Sequence, residues 1–270
     1  MTDAVLVALH RHAERLWETV SPHWPGFSID ILPSVDSTNS ELMRRARAGQ
    51  CEPVLLVAAE QTAGRGRRGR HWISQPGDSL TLSVGVPLHP ADWSGLSLAV
   101  GASIATSLAP SVQLKWPNDL WWNDRKLGGI LVETASQGDQ RYAVIGVGLN
   151  LRTPRFDVAT AGTAGADSAP AAPVGLLEVL GHPADPPDVG DVLWQCAPAL
   201  LRDLQRFEAE GFAAFAARFA SRDALYGRPV KLSDGQTGTA VGVRHDGALL
   251  VDTGHHVLAV SQQEVSVRPC

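Results

Sequence analysis

The sequence predicts an α/β (α+β) fold, a mixed β-sheet packed by helices with a small β-barrel appended at the C-terminal end. Three observations support this. Apolar runs of strand length, such as Val54–Ala59 and YAVIGVGLNL, occur along the first half of the chain. Between them lie segments whose apolar residues recur at helical spacing. After Tyr226 come about 45 residues of short β-like runs with turn signals (RPVKL, SDGQ, TAVGVRHDGALLV, DTGHH, VLAV), the pattern of a small barrel. At 270 residues the chain can hold one large domain and such an appendage, expected at 1–222 and 223–270.

Each element follows in order. Val5, Leu6, Leu9, Ala13, Leu16, Trp17 and Val20 repeat with the period of one amphipathic helix, which SPHWPG stops. SIDILPSV reads as a strand. Thr38 opens T-x-x-E with Glu41, a capping-box pattern, and the helix it starts should end at Gly49. Val54–Ala59 is a continuous apolar strand. Leu80, Leu82, Val84 and Val86 alternate with small or polar residues, which predicts a strand buried on one face. Trp93–Ala109 predicts a buried helix closed by Pro110. VQLKW, GGILVE and YAVIGVGLNL are three further strands. From Thr153 to Pro187 the composition turns to Ala, Gly, Pro and Asp, predicting a loop insertion or disordered segment with little to bury. Helices resume over Val189–Glu210 and Phe212–Ala220.

Composition is that of an ordinary globular protein, 44% hydrophobic and 19% charged, with a net charge of −5 that argues against a broad nucleic-acid-binding surface. The 3 cysteines (Cys51, Cys196, Cys270) lack disulfide or metal-ligand spacing. His10/His12 and His255/His256 read as surface residues. The N-terminus is not a signal peptide, and no apolar run approaches the ~20 residues of a membrane span. A cytoplasmic enzyme or binding protein is the expectation, without a membrane.

The densest chemical signal is GRGRRGR, Gly64 to Arg70, which places Arg65, Arg67, Arg68 and Arg70 on one glycine-rich, mobile loop. In an acidic chain this points to a local anion site, where guanidinium groups can grip phosphate or carboxylate. A solvated basic loop or a nucleic-acid patch is the alternative. The segment also matches G-x-G-x-x-G, but Pro76 and Gly77 follow where a helix is required, and position 84 is Val84 where an acid is required. The dinucleotide reading fails, and no Walker A sequence is present.

KWPNDL leaves Asn118 and Asp119 at the mouth of a strand broken by Pro117, as ligand-facing groups or as an ordinary turn. Lys126 enters an apolar strand beside Gly128 and Gly129, either next to a ligand or at a hairpin corner. In VIGVGLN, Gly146 and Gly148 leave room beside Asn150, for a neighbour or for a bulge. DSTNS, Asp36 to Ser40, falls at a helix N-terminus, suited to a carbonyl or an anion or simply to capping. No catalytic triad is evident. The polar set favours binding and charge neutralisation, as phosphoryl or adenylyl chemistry requires.

Together, DSTN, AEQTAGRGRRGR, KWPNDL, RKLGGILVE and IGVGLN resemble, in order and spacing, the biotin–protein ligases. The resemblance covers Ile29 to Leu151 and, by layout, Val189 to Cys270. It implies a C-terminal barrel of SH3-like type and a two-step reaction. Biotin and Mg-ATP give biotinyl-5′-adenylate, and biotin then passes to a lysine of a biotin carboxyl carrier domain. By resemblance, Ser37, Thr38, Asn39 and Gln61 bind the ureido head, joined by Arg65, Gly66 and Arg67 of the ligand loop. Arg67, Arg68 and Arg70 reach the phosphates. Lys126 stands between biotin carboxylate and α-phosphate, with Lys126 and Arg67 the catalytic pair. Asn118, Asp119 and Asn150 position nucleotide, and Asp119 the Mg2+. The lone N-terminal helix cannot make the DNA-binding helix-turn-helix of some members, so DNA is not an expected partner. The resemblance leaves room for a homodimer.

Overall fold

Spacing over the first 20 residues produces two helices rather than one: α1 (Thr2–Arg11) and α2 (Ala13–Val20) meet at His12, whose backbone (φ −108°, ψ 0°) departs from regular helix geometry. The computed structural model describes residues 2–137, 140–154, 171–261 and 267–269. His12, expected at the surface, is half-buried, with Nε2 3.1 Å from Asp191 and its ring stacked on Trp194.

A seven-stranded mixed sheet organises the chain. Its strands are β1 (Ser28–Leu32), β2 (Val54–Ala58), β3 (Ser79–Pro87), β4 (Gln113–Lys115), β5 (Asp119–Trp122), β6 (Arg125–Gln137) and β7 (Gln140–Asn150). Their spatial order is β1-β2-β3-β7-β6-β5-β4, with β1 and β2 parallel and all other neighbours antiparallel. β5, unforeseen in the sequence, is the DLWW that follows Pro117 and turns back on β4.

Helices cover both faces. α4 (Leu96–Leu108), buried nearly all round, and α6 (Val189–Glu210) lie on one face, while α3 (Thr38–Arg47) packs on the other against β3, β6 and β7. β3 is therefore buried on both faces, not on one. Leu80, Leu82, Val84 and Val86 join the main core, and Thr81 and Ser83 are buried as well. The expected cap also shifts by one residue. Ser37 is the N-cap of α3, accepting from Ser40 N–H, and Glu41 pairs with Arg44 and Arg45 instead of closing a box with Thr38.

Residues 171–187, expected to bury little, carry the apolar run VGLLEVL. Val174, Leu176 and Leu177 are buried, α5 spans Leu176–Val179, and Lys126 exchanges backbone hydrogen bonds with Ala172 (2.7 Å) and Val174 (2.9 Å). Residues 155–170 of the same expectation lie outside the described residues.

After α7 (Ala216–Ala220), strands β8 (Pro229–Leu232), β9 (Thr237–Val243), β10 (Leu249–Asp252), β11 (Val257–Val260) and β12 (Val267–Pro269) form a second, antiparallel sheet in the order β11-β10-β9-β8-β12. Its inward residues Val230, Leu232, Ala240, Leu249 and Val251 belong to the same buried cluster as the main sheet. Three further ties join the two. The buried Trp116 indole donates to Gly247 O (3.0 Å), the backbone of Leu114 bonds to Arg222 and Ala224, and Arg228 pairs with Asp124. Among the described residues, no helix is long and apolar enough to cross a membrane.

Candidate active site

Every residue singled out as a site residue lines one cavity of about 860 Å³. The start of α3 supplies Ser37, Thr38 and Asn39, and Gln61 follows β2. Arg65, Gly66, Arg67, Arg68 and Arg70 form a flap. Asn118, Asp119, Lys126 and Asn150 come from the ends of β5, β6 and β7.

One end of the cavity is a neutral hydrogen-bonding floor. Gln61 Oε1 accepts the Thr38 N–H at 2.7 Å and lies 3.1 Å from the Thr38 hydroxyl. Ser83 Oγ sits 2.7 Å from both Thr38 Oγ1 and Asn39 Oδ1. Asn39 Nδ2 donates to Leu131 O (3.2 Å) and Glu133 Oε2 (2.9 Å), so the amide is held entirely by protein partners. The two glycines of β7 make this possible. A Cβ at Gly146 would lie 2.2 Å from Asn39 Oδ1, and one at Gly148 would lie 2.5 Å from the Trp72 ring. β7 keeps regular register with β3 and β6, so room for side chains, and not a bulge, is what these glycines provide.

The other end is cationic. The arginine segment is pinned as a narrow turn, with Gly66 N–H donating to Arg70 O (2.7 Å) and Trp72 N–H to Gly64 O (2.9 Å). Arg68 (φ 57°) and Gly69 (φ 71°) take left-handed conformations at its tip. Arg67 reaches inward to Asn118 Oδ1 (3.3 Å), while Asn118 Nδ2 donates to Ile130 O (2.8 Å). Burial, then the neighbouring Arg68 charge, pulls the Arg67 pKa below the ordinary arginine value, and Asp119 opposes that pull. Lys126 Nζ lies 2.7 Å from Asp119 Oδ1. Cations outnumber carboxylates on this wall, which therefore favours anions.

Two of these residues have surroundings the sequence did not foresee. Asn150 Nδ2 points to Val174 O (3.2 Å) and Lys126 O (3.4 Å), so it binds the returning 172–174 segment to the start of β6. Asp119 belongs to no metal-binding cluster: no group of three His, Cys, Asp or Glu able to hold a metal occurs among the described residues. One carboxylate still fits Mg2+, which is commonly held by one or two carboxylates, substrate phosphates and water.

Sequence reasoning missed Trp72, Lys115, Trp121, Ser83 and Glu133. Trp72 lies two residues after the arginine segment, and Nζ of Lys115, the first residue of KWPNDL, lies 4.9 Å from the Trp121 ring centroid; all three line the cavity. Ser83 lies within a strand and carries no motif signal, and Glu133 closes the RKLGGILVE segment without any role having been read for it.

The pattern of the Biotin/lipoate A/B protein ligase family matches residues 31–150. The chain is 36% identical over 254 residues to the bifunctional ligase/repressor BirA of Escherichia coli K12, covering 90% of this chain and 75% of that one. It is 34% identical over 255 residues to the biotin–[acetyl-CoA-carboxylase] ligase of Mycobacterium tuberculosis, covering 88% of each. Its fold is similar to that of the Aquifex aeolicus biotin protein ligase in complex with biotin and ATP. There the TM-score is 0.72 at 26% identity, over 92% of this chain and 100% of that one.

Proposed function

Because the chain belongs to the biotin–protein ligases of the biotin/lipoate A/B family, we infer that it joins biotin to a lysine of a carboxylase carrier domain at the expense of ATP. The biotin carboxylate attacks the α-phosphorus of ATP, giving biotinyl-5′-AMP and releasing pyrophosphate. The carrier lysine amine then attacks the acyl carbon, the amide forms, and AMP leaves.

One observation carries this reading: a neutral donor–acceptor floor and a cationic wall meet in a single cavity. A cyclic urea has both N–H donors and a carbonyl acceptor, which suits Ser37, Thr38 and Gln61, with Asn39 shaping the floor behind them. Arg65 and Gly66 close over the ring. Lys126 sits where the carboxylate and the α-phosphate must approach, and with Arg67 it offsets the charge that builds as they react. Arg68 and Arg70 attract the phosphates, while Asn118, Asp119 and Asn150 hold the nucleotide side. Mg2+ held by Asp119 and the phosphates would neutralise charge on the departing pyrophosphate. Closure of the arginine segment keeps water from the mixed anhydride.

The proposal extends to a cytoplasmic enzyme, able to pair with a second copy, with residues 1–222 as the ligase domain and 223–270 as an SH3-like domain. It acts without DNA, a point supported by the net charge of −5. Biotin-dependent exchange of labelled pyrophosphate into ATP tests the reaction. Exchange that requires lipoate instead of biotin, or no exchange at all, would overturn it.

A further inference from the structure

Glu133 touches two parts of the site at once without lining the cavity. It lies on β6, its side chain 23% exposed. Oε2 accepts from Asn39 Nδ2 at 2.9 Å, and Oε1 lies 3.3 Å from Arg65 Nη1. We propose that Glu133 is a positioning residue for biotin: one carboxylate fixes the hydrogen-bond polarity of the floor and ties the arginine segment down beside it. This rests on the function proposed above.

The polarity follows from counting protons. Asn39 Nδ2 faces two groups that can only accept, Leu131 O and the Glu133 carboxylate, so Oδ1 must face Ser83. Ser83 has one hydroxyl proton and must donate it to Oδ1. The Thr38 proton then has two acceptors within reach, Ser83 Oγ at 2.7 Å and Gln61 Oε1 at 3.1 Å, both belonging to the protein. The Thr38 oxygen is left as an acceptor toward the cavity, matched to an N–H of a cyclic urea. A neutral amide in place of the carboxylate can donate as well as accept. Only the longer contact to Leu131 O (3.2 Å) would then oppose a turned-over Asn39, and in the turned-over fraction Ser83 reverses and Thr38 presents a proton where an acceptor is needed.

The second contact works on the flap. Arg65 also reaches Ser40 Oγ at 3.4 Å, so the Glu133 oxygen is its shorter and charged anchor. Without it the arginine segment retains its internal backbone bonds but loses a tie to the floor.

Two full-length variants test this by biotin calorimetry without ATP, pyrophosphate exchange, and trypsin cleavage at the loop arginines. Glu133→Gln should weaken biotin binding about tenfold, the scale of one hydrogen bond to a charged group, raise the biotin KM in step, and leave kcat within about twofold. Its loop should be cut faster than that of the wild type. Ser83→Ala breaks the relay without touching Arg65, so it should weaken biotin with the trypsin rate unchanged. It also carries the test if Glu133→Gln does not fold. Biotin affinity unchanged in either variant, or a loss confined to kcat, would overturn the role of Glu133. A wild type that neither binds biotin nor exchanges pyrophosphate would sink the function proposed above along with it. An active wild type with an indifferent Glu133→Gln would sink this role alone.

Discussion

Replacing Gly148 by alanine should damage biotin binding through an indole. The added Cβ would stand 2.5, 2.7 and 2.9 Å from three carbons of the Trp72 ring. Carbon pairs settle at about 3.5–4.0 Å, so ring and strand must separate by about 1 Å. β7 cannot retreat, because β3 and β6 hold it by regular ladders on both sides. The ring must move, and with it a cavity wall. Overpacking of this kind costs about 1–3 kcal/mol, and a loss of ~2 kcal/mol lowers Tm by about 4–8 °C in a chain of this size. Biotin affinity should fall tenfold or more. Gly85→Ala is the control. Its Cβ would meet Tyr142 Oη at 2.2 Å, a comparable clash at a tyrosine outside the cavity, so it should lower Tm and leave biotin affinity near wild type. Thermal unfolding and biotin calorimetry on both variants decide the matter. A Gly148→Ala protein that binds biotin normally, or a Gly85→Ala protein that binds it as poorly, would refute the steric account.

Three further outcomes are expected. Lys126→Ala should slow single-turnover adenylate formation by about a hundredfold, the scale for one preorganised charge, with biotin affinity less affected; near-normal adenylation would remove Lys126 from the chemistry. Deleting the chain from Tyr226 onward should impair adenylate formation as well as lysine transfer, because Trp116 beside Asn118 loses its Gly247 partner and the shared core opens; separate assays of the two steps would show if only transfer suffers. The Arg44 guanidinium holds Asp36 at about 2, below its ordinary 3.8, so its contribution to stability is complete above about pH 4 and fades as pH falls toward 2. The stability gap between wild type and Asp36→Asn, followed by urea unfolding, should shrink over that window, and a gap that widens on acidification would exclude the pairing.

What the sequence conveyed depended on how locally each feature is encoded. Many of the candidate site residues were legible because glycines, prolines and clustered charges mark places where the chain leaves regular structure; Gln61 came only from the family resemblance, and all of them line one cavity. The long helix Val189–Glu210 was legible from its period. DLWW was not, since four residues after a proline carry too little pattern to register as a strand. Burial of β3 on both faces depends on α3 crossing from elsewhere, and alternation along β3 alone cannot reveal it. Asn39 lines the cavity, but the partners that hold its amide, Leu131 and Glu133, lie more than ninety residues away in sequence and carry no local signal. Asn150 also lines the cavity, while its carbonyl partner at Val174 falls within the stretch expected to bury little.

The tie between Trp116 and Gly247, 131 residues apart, has a consequence for the order in which the molecule is built. β4 is an outer strand of the main sheet, and the outward backbone groups of Leu114 find partners only at Arg222 and Ala224. Until the ribosome has delivered those residues, the KWPNDL hairpin is an unfinished edge with its indole unsatisfied. Contacts so distant along the chain form slowly and late. The cationic side of the cavity is thus completed after the α3 floor, whose partners are all in place by Gly148. On the assignment proposed above, a nascent chain shapes the floor for the small ring before the wall for the triphosphate.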